Sequence, residues 1–196
     1  MTIRVRSLTD KQERYAAISA LSDLRIRIFR GWPYLYDGTA EYEAAYLAEF
    51  ISEPNAVLVV ATDDDVIVGA ATASPMVGQK PEFQLPLRVY GLDVEQIFYF
   101  GESVLLPEYQ GQGLGHQFFD AREAAARAAG ATQASFCAVV RPDDHPMRPQ
   151  APRDLAPFWR SRGYAPVDGL TAMLEWQDLG AADESAHPMQ FWMRDL

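Results

Sequence analysis

Three glycines at alternate positions, Gly111, Gly113 and Gly115, stand just ahead of a run of helix formers in "EYQGQGLGHQFF". Glycine loses more backbone entropy on folding than any other residue, so a cluster of it marks a segment that something must approach closely. A helix start adds unpaired N–H groups and the positive end of the helix dipole. Together these offer the chemistry of an anion site, most often for phosphate. A flexible strand-to-helix connection is the simpler alternative. A second chemical candidate is Glu102, an acid within the aromatic stretch "VEQIFYFGESVLL". If that strand alternates without a bulge, Glu102 shares a face with Phe98, Phe100 and Val104. Desolvation among such neighbours would raise its pKa towards the range a general base needs near neutrality. The competing reading is a buried carboxylate paired with an arginine.

The elements that must position these groups are read from periodicity and punctuation. Residues 2–8 form a candidate first strand, alternating apolar residues with arginine. Thr9 and Gln12 make a capping-box pattern, and Ala17, Leu21, Leu24 and Ile28 recur at helical spacing up to about Arg30. "GWPYLYDG" is a loop, bracketed by glycines and interrupted by proline. A second helix over about 40–51 places Tyr42, Tyr46 and Phe50 on one face. "AVLVVATDDDVIVGAATAS" predicts a hairpin with strands at about 56–62 and 66–74. Residues 75–93, rich in proline and glycine, are long for a structureless connection and predict a functional loop or lid with a short helix. The Glu102 strand, the glycine turn and a helix to about Ala129 follow, stopped by Gly130. "TQASFCAVV" is a further strand, "APFWRSRGY" a short helix, and "GLTAMLEW" and "MQFWMRDL" two closing strands. The whole reads as one mixed α/β domain across residues 1–196.

Three phosphate motifs compete for the glycines. Walker A requires a lysine and Ser/Thr after its last glycine, and none follows here. The dinucleotide fingerprint needs Gly-x-Gly-x-x-Gly; here the third glycine falls one residue early, and no acid ends the next strand. The third pattern is Gln/Arg-x-x-Gly-x-Gly/Ala after a long strand, and Gln110, Gly113 and Gly115 fit it. With the approach "LLPEYQGQGLG", the element order and "PFWRSRGY", the chain resembles the GNAT superfamily of acyl-CoA-dependent N-acyltransferases.

The resemblance implies a GNAT-like fold, a mixed sheet of about seven strands with helices on both faces and central strands splayed to admit acetyl-CoA. It implies that backbone N–H groups across Gln110, Gly111, Gln112, Gly113, Leu114, Gly115 and His116 bind the coenzyme pyrophosphate. Backbone groups near Val104, Leu105 and Leu106 would hold the pantetheine arm as an extra strand would. Acyl transfer needs a neutral amine, and an alkyl amine of reference pKa near 10.4 costs roughly 4 kcal/mol to deprotonate at neutrality. Several members of the superfamily use a glutamate on this strand as base, which makes Glu102 the catalytic candidate. The usual general acid, a tyrosine in the late helix, is replaced by Trp159, whose indole N–H is no useful acid. Another tyrosine, His145 or water would then protonate the departing thiolate. On the acceptor side, Trp32, Tyr34, Tyr36 and Asp37 offer aromatic walls and one carboxylate, a set suited to a cation with an apolar body. The "RPDDHPMRP" segment adds Arg141, Asp143, Asp144, His145 and Arg148, which would hold a zwitterion or pair with one another.

Composition narrows the classes. The 196 residues carry a formal net charge of −10, which argues against nucleic acid. No apolar run approaches the ~20 residues of a membrane helix, and the first residues read as a strand rather than a signal peptide. Cys137 is the lone cysteine, expected to be a packed core residue; with no internal disulfide a cytoplasmic home fits. His116, His145 and His187 show no metal spacing, and no metal is expected; His116 is placed at the helix start. The expectation is therefore an acetyl-CoA-dependent N-acetyltransferase acting on a primary amine of a small molecule or peptide. The alternative is a non-catalytic acyl-CoA-binding sensor. The C-terminal "QFWM" is either a homodimer contact or an inner strand.

Overall fold

The computed structural model of the chain describes residues 2–53 and 55–196. Strand β1 (Ile3–Leu8) leads into two consecutive helices, α1 (Lys11–Ala16) and α2 (Ile18–Phe29). The cap is Asp10 and not Thr9: its carboxylate accepts from the amides of Gln12 (2.9 Å) and Glu13 (3.0 Å). A charged acceptor that serves two first-turn amides outcompetes a hydroxyl one residue further out. The expected single helix divides at Ala17. Its continuation α2 buries Leu21, Leu24 and Phe29.

Helix α3 (Ala40–Ser52) is capped by Thr39, whose hydroxyl accepts from the Tyr42 amide. Its buried residues are Glu43, Leu47 and Ile51, the stripe beside the face that carries Tyr42, Tyr46 and Phe50. Tyr42 is 54% exposed, while Tyr46 and Phe50 pack half-buried beside the core. The two stripes are one residue apart, and an ion pair from α2 draws Glu43 inward.

Strands β2 (Val57–Asp63) and β3 (Val66–Pro75) form the predicted hairpin. The segment after it is ordered, not an open loop. It carries α4 (Pro81–Tyr90), begun by Pro81, ended by Gly91 at φ +91°, and docked through fully buried Leu87. Strand β4 (Ile97–Leu105) starts three residues later than its apolar run, because Val94–Gln96 make a 3-10 turn capped by Asp93. Helix α5 (Leu114–Ala128) follows the glycines and stops before Gly130 at φ +82°. Strand β5 (Gln133–Val139), helix α6 (Ala156–Ser161) and the long strands β6 (Ala165–Gln177) and β7 (Glu184–Asp195) complete the chain.

The strands form one seven-stranded sheet in the order β1-β2-β3-β4-β5-β7-β6. Every neighbouring pair is antiparallel except β4 and β5. One face is covered by α2, α3 and α4, the other by α5 and α6. "QFWM" lies in β7, an inner strand between β5 and β6, with Phe191 wholly buried and Trp192 6% exposed.

Candidate active site

The β4–β5 pairing covers only Ile97–Tyr99 against Gln133–Ser135, whereas β5 pairs with β7 along its full length. Beyond Tyr99 the two central strands diverge and open a cleft in the middle of the sheet. Ser103 lies exposed there although its strand is central. Leu106 donates to Val68 O at 3.0 Å, so Leu106 and Val104 direct their backbone groups at β3. By the same alternation, Ser103 and Leu105 direct theirs into the cleft. Of the three expected positions only Leu105 does so; Ser103 is the one the sequence missed. A central-strand serine two residues after glycine was the available signal.

The end of β4 runs into a 3-10 turn, Pro107–Tyr109, tied to β2 by the Tyr109 hydroxyl donating to Asp63 Oδ2 at 3.0 Å. Gly111 and Gly113 then take φ of +75° and +81°, which side chains of L-residues resist, and a Cβ at either would meet open space. Gly113 serves as the N-cap of α5 with no side-chain cap. Gln110 donates its backbone N–H to Pro107 O and His116 donates to Gly113 O, while the amides of 111–115 find no protein acceptor among the described residues. The expected run of amides, 110–116, therefore narrows to 111–115. Gly115 differs from them: a Cβ there would meet Phe158 of α6 in ordinary contact at 3.4 Å. Leu114 is buried beneath the turn, and Gln112 bonds back to Glu108 O. His116 is exposed, with its ring edge-on to Phe158 at 4.9 Å.

Gln110 spans the loop, donating to Leu105 O at 3.3 Å and accepting from Arg153. Arg153, just ahead of α6, is thus a cation at the glycine turn that sequence reading missed, because the loop carrying it is 43 residues away.

Glu102 does not share a face with Phe98 and Phe100. The register between β3 and β4 shifts between Ala71 and Ala73, so Gly101 and Glu102 together stand opposite Thr72. Such a bulge inverts the alternation. Phe98 and Phe100 pack against α5 and α6, whereas Glu102 and Val104 face α2. A Cβ on Gly101 would lie 2.5 Å from Thr72 Oγ1, so only glycine fits, and that hydroxyl accepts from the Glu102 amide at 3.2 Å.

On the α2 face Glu102, 8% exposed, pairs with Arg25 Nη1 at 2.8 Å, and Arg25 Nε donates to the fully buried Glu43. Burial alone would lower the Arg25 pKa, but the charges of Glu102 and Glu43 hold it above the ordinary value. Its guanidinium lies over the rings of Tyr46 (4.5 Å) and Phe29 (5.0 Å). Burial, then the Glu102 charge, push the Tyr34 phenol up to about 12, so it stays protonated. The half-buried Tyr46 and Tyr36 phenols are raised for similar reasons. The Cys137 thiol is pushed up by burial and bonded to Tyr99, which makes it a packed core residue and no nucleophile.

The acceptor-side candidates divide. Tyr34 and Tyr36 adjoin the Arg25–Glu43–Glu102 cluster. Trp32 stands further out, 5.4 Å from the His145 ring, and Asp37 forms an exposed pair with Arg30 at 3.0 Å. Arg141 makes a two-pronged bond to Asp178 (2.6 and 2.8 Å) and also donates to Pro33 O and Tyr34 O, fastening the 31–38 loop to β6 and β7. Arg148 pairs with Asp143. Arg141, Asp143 and Arg148 of "RPDDHPMRP" are thus engaged with the protein, while Asp144 stands exposed. Trp159 packs between Phe136 and Trp192, 5.0 Å from each, and Tyr164 is buried with its hydroxyl on Glu123.

A strand splayed from its parallel neighbour, ending in a glycine turn with open amides, is an arrangement for a phosphate-bearing extended ligand. Residues 19–149 match the acetyltransferase (GNAT) family. The chain belongs to the GNAT family. Among curated proteins no relative matches the sequence. GNAT-fold structures align with nearly the whole chain. An aminoglycoside 6'-N-acetyltransferase complexed with coenzyme A superposes with a TM-score of 0.63 at 15% identity, over 98% of this chain and 96% of that one. A ribosomal-protein-alanine N-acetyltransferase from Brucella melitensis gives 0.63 at 14% identity, covering 98% and 99%. A GCN5-related N-acetyltransferase from Kribbella flavida gives 0.60 at 19%, covering 99% and 98%. At these identities the likeness speaks for the fold. Family and fold together make this GNAT protein an acyltransferase with acetyl transfer as its reaction. Among the described residues no group of three or more metal-binding side chains occurs, and no helix is long and apolar enough to cross a membrane.

Proposed function

We propose that this GNAT protein, acting as one domain, transfers an acetyl group from acetyl-CoA to a primary amine of a small molecule or peptide. The carrying observation is the glycine turn whose 111–115 amides lie unbonded at the end of the splayed strand. When bound, acetyl-CoA supplies the activated thioester. The turn amides and the α5 dipole would hold its diphosphate, each contact worth roughly 0.3–1 kcal/mol when exposed. Arg153 would add a charge-assisted contact. Ser103 and Leu105 would bond the pantetheine arm through their backbone, and the Ser103 N–H would polarise the thioester carbonyl.

Glu102 is the general base of this reading, taking the ammonium proton of the acceptor directly or through one water. The buried cluster sets two carboxylates against one guanidinium. That leaves an excess negative charge, and an arriving ammonium complements it. The Tyr34 phenol lies within reach of the Glu102 charge on β4. Kept protonated, it is the candidate donor to the departing thiolate in place of Trp159.

Free-thiol release from acetyl-CoA with a panel of small and peptidyl amines tests the reaction. Amine-dependent thiol release is the expected result. A melting temperature unmoved by CoA and acetyl-CoA would overturn the coenzyme site, since a ligand at 100 times its dissociation constant stabilises by ~2.7 kcal/mol. The Glu102–Arg25 pair supports a second reading, an acyl-CoA sensor without turnover. Coenzyme binding with no thiol release for any amine would favour it.

A further inference from the structure

Arg122, in the middle of α5, heads the fully buried side chains of the molecule at 1% exposure. Among the described residues no carboxylate lies within ion-pair distance of it. A cation is expensive to bury, and a leucine or methionine would fill an α5–sheet contact at no such cost. Its hydrogen bonds show what the charge is used for. Nε donates to Phe118 O (3.2 Å) within the helix. Nη1 donates across to Thr72 O (3.3 Å) on β3 and Glu102 O (3.4 Å) on β4. Nη2 donates to Ser103 Oγ at 2.8 Å. The guanidinium plane rests on Phe100 (4.5 Å) and Phe119 (4.8 Å).

The three acceptors outside the helix share one address. Thr72 is the single β3 residue opposite the bulge, Glu102 is one of the two β4 residues facing it, and Ser103 is the next. A bulge breaks the ladder and leaves carbonyls without a strand partner, and a buried carbonyl must be satisfied. Arg122 supplies those donors from the helix side. No uncharged side chain offers a rigid fork that reaches both strands and the serine hydroxyl. Without the bulge, alternation would place Glu102 among Phe98 and Phe100, away from Arg25.

We propose that Arg122 is a positioning residue for the transfer: its guanidinium holds the Gly101–Glu102 bulge and so aims the Glu102 carboxylate at Arg25 and the acceptor side. This rests on Glu102 as the base, and the test separates the two claims. Arg122→Met keeps the apolar bulk and removes the donors; Arg122→Lys keeps the charge and loses the fork. With the amine that gives fastest thiol release, Arg122→Met should lower kcat at least tenfold, with the dissociation constant of CoA within threefold of the parent. In a Glu102→Gln background the same replacement should change kcat less than threefold, because the group it aims is gone. Where Glu102→Gln itself lowers kcat, equal losses in both backgrounds overturn the proposal, as does an undiminished kcat in Arg122→Met.

A second readout needs no turnover. In protein labelled with carbon-13 at glutamate carboxyls, the resonance absent from Glu102→Gln reports Glu102. It should move in Arg122→Met, or in Arg122→Lys if the methionine variant does not fold. An unmoved resonance overturns the positioning role. A moved resonance beside a Glu102→Gln enzyme of unchanged kcat would uphold Arg122 as the holder of the bulge and discard Glu102 as the base.

Discussion

Gly113 has open space where a Cβ would project, yet its φ of +81° is a conformation that L side chains adopt only under strain. Gly113→Ala is therefore expected to cost about 1 kcal/mol of stability through backbone strain, read as a lower denaturation midpoint. Gly113→Glu should go further and abolish CoA binding, because a carboxylate would occupy the place of the diphosphate. Retained micromolar affinity by calorimetry would contradict the phosphate site. Arg153 tests the same site from outside. Arg153→Gln is exposed and should fold normally, and it should weaken CoA several-fold at low salt. The difference should shrink as ionic strength rises towards about 0.5 M, since salt screens exposed charges. Glu102→Gln should lower kcat at least tenfold, remove the acid limb of the pH–rate profile and spare CoA affinity. An unchanged profile would take Glu102 out of the mechanism. Glycine spacing made the turn ahead of α5 legible because an absent side chain acts locally. The partners of Gln110 and Glu102 were not, since Arg153 and Arg25 come from distant parts of the chain.

At the scale of elements, the sheet owes its chemistry to two departures from regularity, the short β4–β5 pairing and the bulge in β4. Gly101 is the residue the bulge cannot lose. A methyl there would meet Thr72 Oγ1 at 2.5 Å, and that hydroxyl is already engaged by the Glu102 amide. Gly101→Ala should destabilise the protein by roughly 1–3 kcal/mol through overpacking. An unshifted urea midpoint would mean that Thr72 turns aside at no cost. The succession of elements, the β2–β3 hairpin and the reach of α5 followed from apolar alternation, turn residues and Gly130. The inversion of Glu102 did not, because "FYFGESVLL" alternates just as well without a bulge. The bulge depends on Thr72, which lies 30 residues away from Glu102 in the chain, and on the guanidinium of Arg122. The burial of Glu43 on α3 escaped the sequence for a similar reason: it pairs with Arg25, and no pattern within the helix announces that.

Across the whole molecule, the 31–38 loop, proposed to shape the acceptor side, is fastened to the β6–β7 end of the sheet through Arg141, Asp178 and Trp176, with His187 beside them. His187 stacks on Trp176 at 3.9 Å, and burial together with Arg141 lowers its pKa despite nearby Asp178. The unfolded chain binds this proton more tightly, with a midpoint of about 6.5, so the stabilisation is complete above that pH and fades as pH falls through it. Burial opposes but the Arg141 bonds prevail at Asp178, whose lowered pKa adds a loss of the same sign at lower pH. The melting temperature should therefore fall between pH 7.5 and 5.5, and His187→Phe should flatten that slope. An equal slope in both proteins would remove His187 as its source. The chain's own order of residues sufficed for the net charge of −10, the mixed α/β element order, the turn before α5 and its resemblance to a coenzyme-binding family. Those properties arise from composition or from neighbours a few residues apart. Folding in three dimensions was needed to say where Glu102 points, which five amides remain open and which arginines meet them. Each of these is settled by contacts between segments far apart in the chain, and one extra residue in a strand is enough to exchange its two faces.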